Sequence, residues 1–204
     1  MSDRVKIAVL VSGGGTNLQA LIDARKSGII KSGEIVIVIS SKADAFALKR
    51  AEKAGIKAVA VPKKECASQA EFEEKISALL SDNGAELIIL AGFMSVLSAD
   101  FTGKYPGRII NVHPSLIPSF CGEGFYGLRV HEAALNYGVK VTGATVHFVN
   151  EVVDGGQIIL QKAVDIEEGD TPETLQKRVM EQAEWIILPK AAELVSQRIL
   201  KERE

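Results

Sequence analysis

The chain has 204 residues, 47% of them hydrophobic and 25% charged, which suits one globular α/β domain with a sizeable core. Its 24 basic and 26 acidic side chains leave a formal net charge of -2, so the basic face that a nucleic acid or an anionic membrane would require is not expected. Aromatic residues make up only 5%, which argues against a base-stacking platform. The two cysteines, Cys66 and Cys121, are far apart and form no CxxC pair, so neither a disulfide framework nor a zinc site is expected. Met1-Ser2-Asp3-Arg4 leads straight into a strand-like run and has no signal-peptide character. No apolar run reaches the roughly 18–20 residues of a membrane helix. A cytoplasmic, metal-free protein is the expectation.

Strand and helix patterns then alternate along the chain. Val5 to Val11 is a short, unpatterned apolar run, as a strand buried on both faces requires. It ends in Ser12-Gly13-Gly14-Gly15, and a helix is predicted over 18–26 with Thr16 or Asn17 as N-cap. Further strands are predicted over 35–39, 58–61, 87–90 and 108–112, with helices over 45–54 and 69–80 between the first four. Phe72, Ile76, Leu79 and Leu80 form one stripe of the second of these helices. Short βα and αβ connections of this kind imply a parallel sheet with helices on both faces. Residues 139–149 and 158–164 read as two longer strands with no helix between them, hence an antiparallel extension. A helix over 172–202 closes the chain, kinked or split by Pro189. The expected architecture is a single domain, 1–204, with a Rossmann-like, mostly parallel sheet flanked by helices and an antiparallel C-terminal extension.

Three segments carry candidate chemistry. The glycine loop Gly13-Gly14-Gly15-Thr16-Asn17 joins the first strand to the first helix. Its backbone amides and the helix dipole favour a phosphate, although a tight turn alone would explain three glycines. A dinucleotide fingerprint would need glycine where Leu18 stands. The second segment is Asn111-Val112-His113-Pro114. Asn111 and His113 share one face of a strand, and a carboxamide beside an imidazole suits a developing oxyanion. The third is Asp154-Gly155-Gly156, a turn whose carboxylate matters only if the fold brings it to His113. There it would orient the imidazole and favour its charged form. His147, among Val and Phe residues, reads as packed. For His131 both orientations stay open, and Met94 either lines a pocket for a flat ring or packs. Trp185 reads as core.

These segments together resemble one family. SGGGTNLQA at 12–20, SSKADAFALKRA at 40–51, LAGFMSVLS at 90–98, NVHPSLIPSF at 111–120 and GATVHFVNEVVDGGQIILQ at 143–161 are similar to the folate-dependent phosphoribosylglycinamide formyltransferases. The resemblance runs from about Lys6 into the C-terminal helix. It implies a formyltransferase fold, a role in purine and one-carbon metabolism, and two small-molecule substrates, 10-formyltetrahydrofolate and glycinamide ribonucleotide, with a monomer or homodimer as the assembly. By this resemblance Asn111, His113 and Asp154 are catalytic, with Asn111 and protonated His113 on the oxyanion and Asp154 relaying a proton through water. Gly13, Gly14, Gly15, Thr16 and Asn17 would hold the phosphate. Glu184, aligned through Pro189, would hold the ribonucleotide. Phe93, Met94, Ser95, Val96 and Leu97, with Val149, Asn150, Val153 and Asp154, would hold the folate. Ser95 stands where many members have a basic residue. The loop 121–130 is longer than in shorter members and reads equally as a lid or a packing insertion. Length argues against tRNA formyltransferase and formyltetrahydrofolate deformylase architectures, which carry additional domains.

Overall fold

The computed structural model describes residues 4–203; the reading of residues 1–3 as a lead-in without signal-peptide character lies outside the described residues, as does residue 204. Seven strands form one sheet: β1 (Val5–Val11), β2 (Gly33–Ser40), β3 (Lys57–Ala60), β4 (Leu87–Leu90), β5 (Ile109–His113), β6 (Val141–Phe148) and β7 (Ile158–Asp165). Their order is β3-β2-β1-β4-β5-β6-β7. The first five are mutually parallel. β6 runs antiparallel to β5, and β7 antiparallel to β6, as the missing helix between them implied.

The unpatterned strands are explained by the two layers that cover them. Ile7, Val9 and Val11 of β1 enter one core, with Leu18 and Leu21 of α1 (Thr16–Ser27), Ala47 of α2 (Phe46–Lys53) and Leu188 of α7 (Trp185–Lys201). Ala8 and Leu10 enter the other, against Phe72, Ile76 and Leu80 of α3 (Gln69–Asp82) and Phe101 of α4 (Ala99–Gly103). Burying each such large side chain stabilises the fold by about 1.5–3 kcal/mol. Two further helices, α5 (Leu128–Tyr137) and α6 (Pro172–Val179), pack on each other. The chain winds from β1 outward to β3 and then returns to β4 on the far side of β1. That reversal leaves a crevice at the carboxyl ends of β1 and β4, the position where such sheets bind ligands.

The structure departs from the sequence reading in three places. α1 is capped by Gly15 at φ 74°, with no side-chain cap, and not by Thr16 or Asn17. The Asn17 side chain is engaged elsewhere, and at position 15 an added Cβ would lie 2.6 Å from the Cβ of Ala47. α4 was not anticipated; five residues are too few to show a period, although Ser98 caps it by accepting from the Phe101 amide. The C-terminal helix is interrupted ahead of Pro189, not at it: Met180–Glu184 form a π turn, and Pro189 lies inside α7. The buried residues Leu175, Val179, Ala183, Ile187, Ala191, Val195 and Ile199 recur every fourth position. An α-helix turns in 3.6 residues, and the wider π turn takes up part of the drift.

Candidate active site

The crevice is a cleft of about 1060 Å³, at the upper end of the range for small-molecule sites. Its walls are Asn17, residues 92–97 after β4, residues 111–114 ending β5, residues 122–127 before α5, residues 149–154 after β6, and Gln176, Met180 and Glu184. Gly13, Gly14, Gly15 and Thr16 are not in the lining. They stand at its rim, where the Thr16 hydroxyl lies 3.8 Å from the Met180 sulfur.

Strand pairing assembles the floor. Asn111 on β5 lies opposite His147 on β6, and His113 lies opposite Thr145. Asn111 Nδ2 is 3.3 Å from His147 Nε2. Asp154 reaches both imidazoles, with Oδ2 3.4 Å from His113 Nδ1 and Oδ1 3.5 Å from His147 Nε2. These are loose contacts, longer than a good hydrogen bond. His147 Nδ1 donates to the Phe148 carbonyl at 2.7 Å, and His113 Nε2 donates to the Phe120 carbonyl at 2.9 Å. Thr145 anchors the strand exit: its hydroxyl donates to the Ser115 carbonyl and accepts from the Ile117 amide and the Gln161 side chain. His147, read from the sequence as packed, is therefore part of the site.

Two backbone positions are bent to serve this cluster. Asp154 has φ 56° and Phe120 has φ 49°, the left-handed region that non-glycine residues seldom occupy. One presents a carboxylate to His113 and the other a carbonyl. Gly156 closes the same turn, and any Cβ there would run into the Phe148 carbonyl oxygen. Burial raises the Asp154 carboxyl. The His147 hydrogen bond, the His113 charge and the Gly122 amide at 2.9 Å together outweigh it, so the group stays below the usual carboxylate range. His113 is shifted as well. Burial pushes its imidazole below the ordinary 6.5, and the second imidazole adds to that. The Asp154 carboxylate and the Phe120 carbonyl pull upward, as anticipated, but do not prevail.

On the wall formed by Asn17 and Glu184, Asn17 Nδ2 donates to Glu184 Oε2 at 2.6 Å, and the Asn17 side-chain oxygen is buried with no hydrogen-bond partner among the described residues. Burial pushes the Glu184 carboxyl from 4.5 up to about 7, against the Asn17 amide. Unfolded, the group would ionise near 4.5. Its contribution is therefore fully favourable below that pH and is lost as pH rises through about 7, on the order of 3 kcal/mol in all. Glu184→Gln keeps an acceptor for Asn17 and removes the titration. Urea unfolding should show the variant gaining on the parent between pH 4 and pH 8; a stability difference independent of pH would remove the assignment.

The glycine loop is braced from outside. Arg50 Nε donates to the Gly14 carbonyl at 2.8 Å, and the Ala47 amide donates to the Gly13 carbonyl. The Ser12 hydroxyl lies 2.6 Å from that of Ser41 and accepts from the Met94 amide. Only Gly15 is demanded by the fold. At Gly13 and Gly14 a Cβ would meet nothing within 4 Å, so both face open space. Gly14→Ala should leave thermal stability unchanged or slightly higher yet raise the acceptor KM at least tenfold. Gly15→Ala should lower the melting temperature. Equal melting temperatures for the two would refute the distinction.

On the wall after β4 all five residues 93–97 line the cleft, but they divide in role. Phe93 stacks on Phe72 with ring centroids 6.3 Å apart, and Leu97 is buried. Met94 and Val96 are more than half exposed, as are Val152 and, nearly so, Val153 across the cleft. Ser95 borders the cleft without a charge to offer. Glu73 of α3 holds the segment's end through the Ser98 amide and hydroxyl, while Gln69 donates to the Val96 carbonyl. Asn150 accepts from the Val152 amide and so shapes the opposite loop, which also carries Val149. Two apolar loops with free backbone edges fit a flat heteroaromatic ring.

An oxyanion donor, a buried carboxylate and titratable imidazoles are what a carbonyl needs in order to be attacked and to pass its proton on. With a switch-point cleft long enough for two ligands, this defines an α/β enzyme of the acyl-group transferase class. The sequence model of the formyl transferase family matches residues 5–191, and the chain belongs to that family. The phosphoribosylglycinamide formyltransferase of Haemophilus influenzae is 44% identical over 184 residues, covering 90% of this chain and 84% of that protein. The trifunctional purine biosynthetic protein adenosine-3 of Gallus gallus is 47% identical over 195 residues; the match takes in 96% of this chain but only 19% of that protein. The crystal structure of glycinamide ribonucleotide transformylase 1 from Symbiobacterium toebii superposes with a TM-score of 0.89 at 41% identity, covering 97% of this chain and 90% of that one.

Proposed function

We propose that the protein transfers the formyl group of 10-formyltetrahydrofolate to the amine of glycinamide ribonucleotide, giving formylglycinamide ribonucleotide and tetrahydrofolate in purine synthesis. The observation that carries this reading is the Asn111–His147–Asp154–His113 cluster on the floor between a polar wall and an apolar one. The phosphate lies at Gly13, Gly14 and Gly15, the sugar reaches Asn17 and Glu184, and the folate ring lies between residues 93–97 and 149–154. The amine attacks the formyl carbon, a C–N bond forms, and the carbonyl pair moves onto oxygen. The Asn111 amide donates to that oxyanion. His113 joins it once the substrate oxygen takes the place of the Phe120 carbonyl at Nε2. Asp154 takes up the amine proton through a water molecule and relays it. Collapse breaks the bond to the folate nitrogen, which receives that proton.

The cleft is formed within one chain, so a monomer suffices and a homodimer would carry two complete sites. One catalytic unit over 1–204, working in the cytoplasm, accords with the single sheet. Among the described residues no helix is long and apolar enough to cross a membrane. The test is a steady-state assay with 10-formyltetrahydrofolate, with and without glycinamide ribonucleotide. Donor consumption that depends on the ribonucleotide is expected; consumption without it would make the protein a deformylase, and no consumption would overturn the proposal.

A further inference from the structure

One imidazole takes no part in the reaction just described. His131, in the first turns of α5, is fully buried, and neither ring nitrogen has a hydrogen-bond partner among the described residues. It nevertheless borders the cleft. A neutral imidazole carries one donor and one acceptor, and a fold that leaves both unpaired in its interior loses stability by it. Val130 and Ala134, its neighbours on α5, are buried and apolar. An apolar side chain would serve packing better at 131, and such local violations gather where a protein meets its ligand. Burial, and then the charge of His113, push the ring down to about 4, so it is neutral under ordinary conditions and offers both groups.

Its place in the cleft identifies what it meets. The donor loops belong to the face of the sheet covered by α3 and α4, where Phe93, Leu97 and Val149 join the core. α5 packs on α6, and Leu135, Leu175 and Val179 join the core of the opposite face. His131 therefore continues the wall of Gln176, Met180 and Glu184, the acceptor side, in the same cleft that His113 lines. An acceptor with its sugar at Glu184 and its amine at His113 has its amide linkage between them. That amide offers one carbonyl and one N–H, the complement of a neutral imidazole.

Resting on the formyl-transfer reading, we propose that His131 is a specificity-determining residue that hydrogen-bonds the amide linkage of the ribonucleotide acceptor. His131→Phe keeps a ring of similar size and removes both polar groups. Its melting temperature should equal or exceed that of the parent, while kcat/KM for glycinamide ribonucleotide falls about 10–100-fold and the KM for 10-formyltetrahydrofolate stays within twofold. His131→Asn, which keeps a donor and an acceptor, should recover part of the loss. An acceptor analogue with its amide carbonyl reduced to methylene should lose a similar factor with the parent and little more with His131→Phe, a non-additive cycle. Acceptor kinetics unchanged in His131→Phe, an equal loss for the donor, or an additive cycle would each overturn the proposal while leaving formyl transfer intact. A parent with no ribonucleotide-dependent turnover would instead remove formyl transfer, and this role with it.

Discussion

Asp154→Asn should lower kcat about 10²–10⁴-fold and leave the KM of both substrates within a few-fold. The substitution preserves shape. Asn still accepts from the Gly122 amide, and after glycine it is among the residues best suited to the left-handed backbone at φ 56°. What disappears is the negative charge that both imidazoles face at 3.4 and 3.5 Å. His113, already depressed by burial, then loses the carboxylate that opposes the depression, and the amine proton loses its acceptor. The acid response gives an independent check. Because the folded Asp154 carboxyl lies below its unfolded 3.8, it stabilises the fold above that value, and the contribution is lost as pH falls through the folded pKa. The stability advantage of the parent over the variant should therefore shrink in acid. Turnover of Asp154→Asn within tenfold of the parent would reduce the residue to a turn former.

Asn111→Ala should cost about 10²–10³ in kcat against a stability loss of only about 1 kcal/mol. The disparity follows from how the amide is held. His147 Nδ1 donates to the Phe148 carbonyl, which fixes the ring with Nε2 3.3 Å from Asn111 Nδ2. That contact fixes which end of the carboxamide is nitrogen and leaves the second N–H for the cleft. Truncation removes a preorganised oxyanion donor at the moment charge develops, while the folded state gives up one modest hydrogen bond. Stopped-flow single-turnover rates beside urea titrations would separate the two effects. A rate within a few-fold of the parent would exclude Asn111 as a main stabiliser.

The parallel strands were legible because burial on both faces leaves a continuous apolar run, as at Leu87–Leu90, and the antiparallel strands because no helix separates them. Asn111 and His113 were legible because two residues along a strand return to the same face. His147 was not, because its neighbours are apolar and its function depends on register with β5, a non-local pairing that no local pattern shows. The cap of α1 was misread for a related reason. Thr16 and Asn17 are good capping types, but Asn17 is drawn to a glutamate 167 positions away. The downward shift of His113 was hidden because a carboxylate partner was foreseeable and the depth of burial was not. The π turn leaves a trace in the four-residue spacing of the buried stripe, a signal that a 3.6-residue template smooths away.

The Ser12 hydroxyl gives the two substrate loops a common fastening. It joins the end of β1 to Ser41 after β2 and to the Met94 amide after β4, so the glycine loop and the loop 92–97 share one small dipole. A ligand that shifts the Met94 amide changes the setting of the glycine loop. Linkage then requires reciprocity: whatever factor the donor imposes on acceptor affinity through this hydroxyl, the acceptor imposes on the donor.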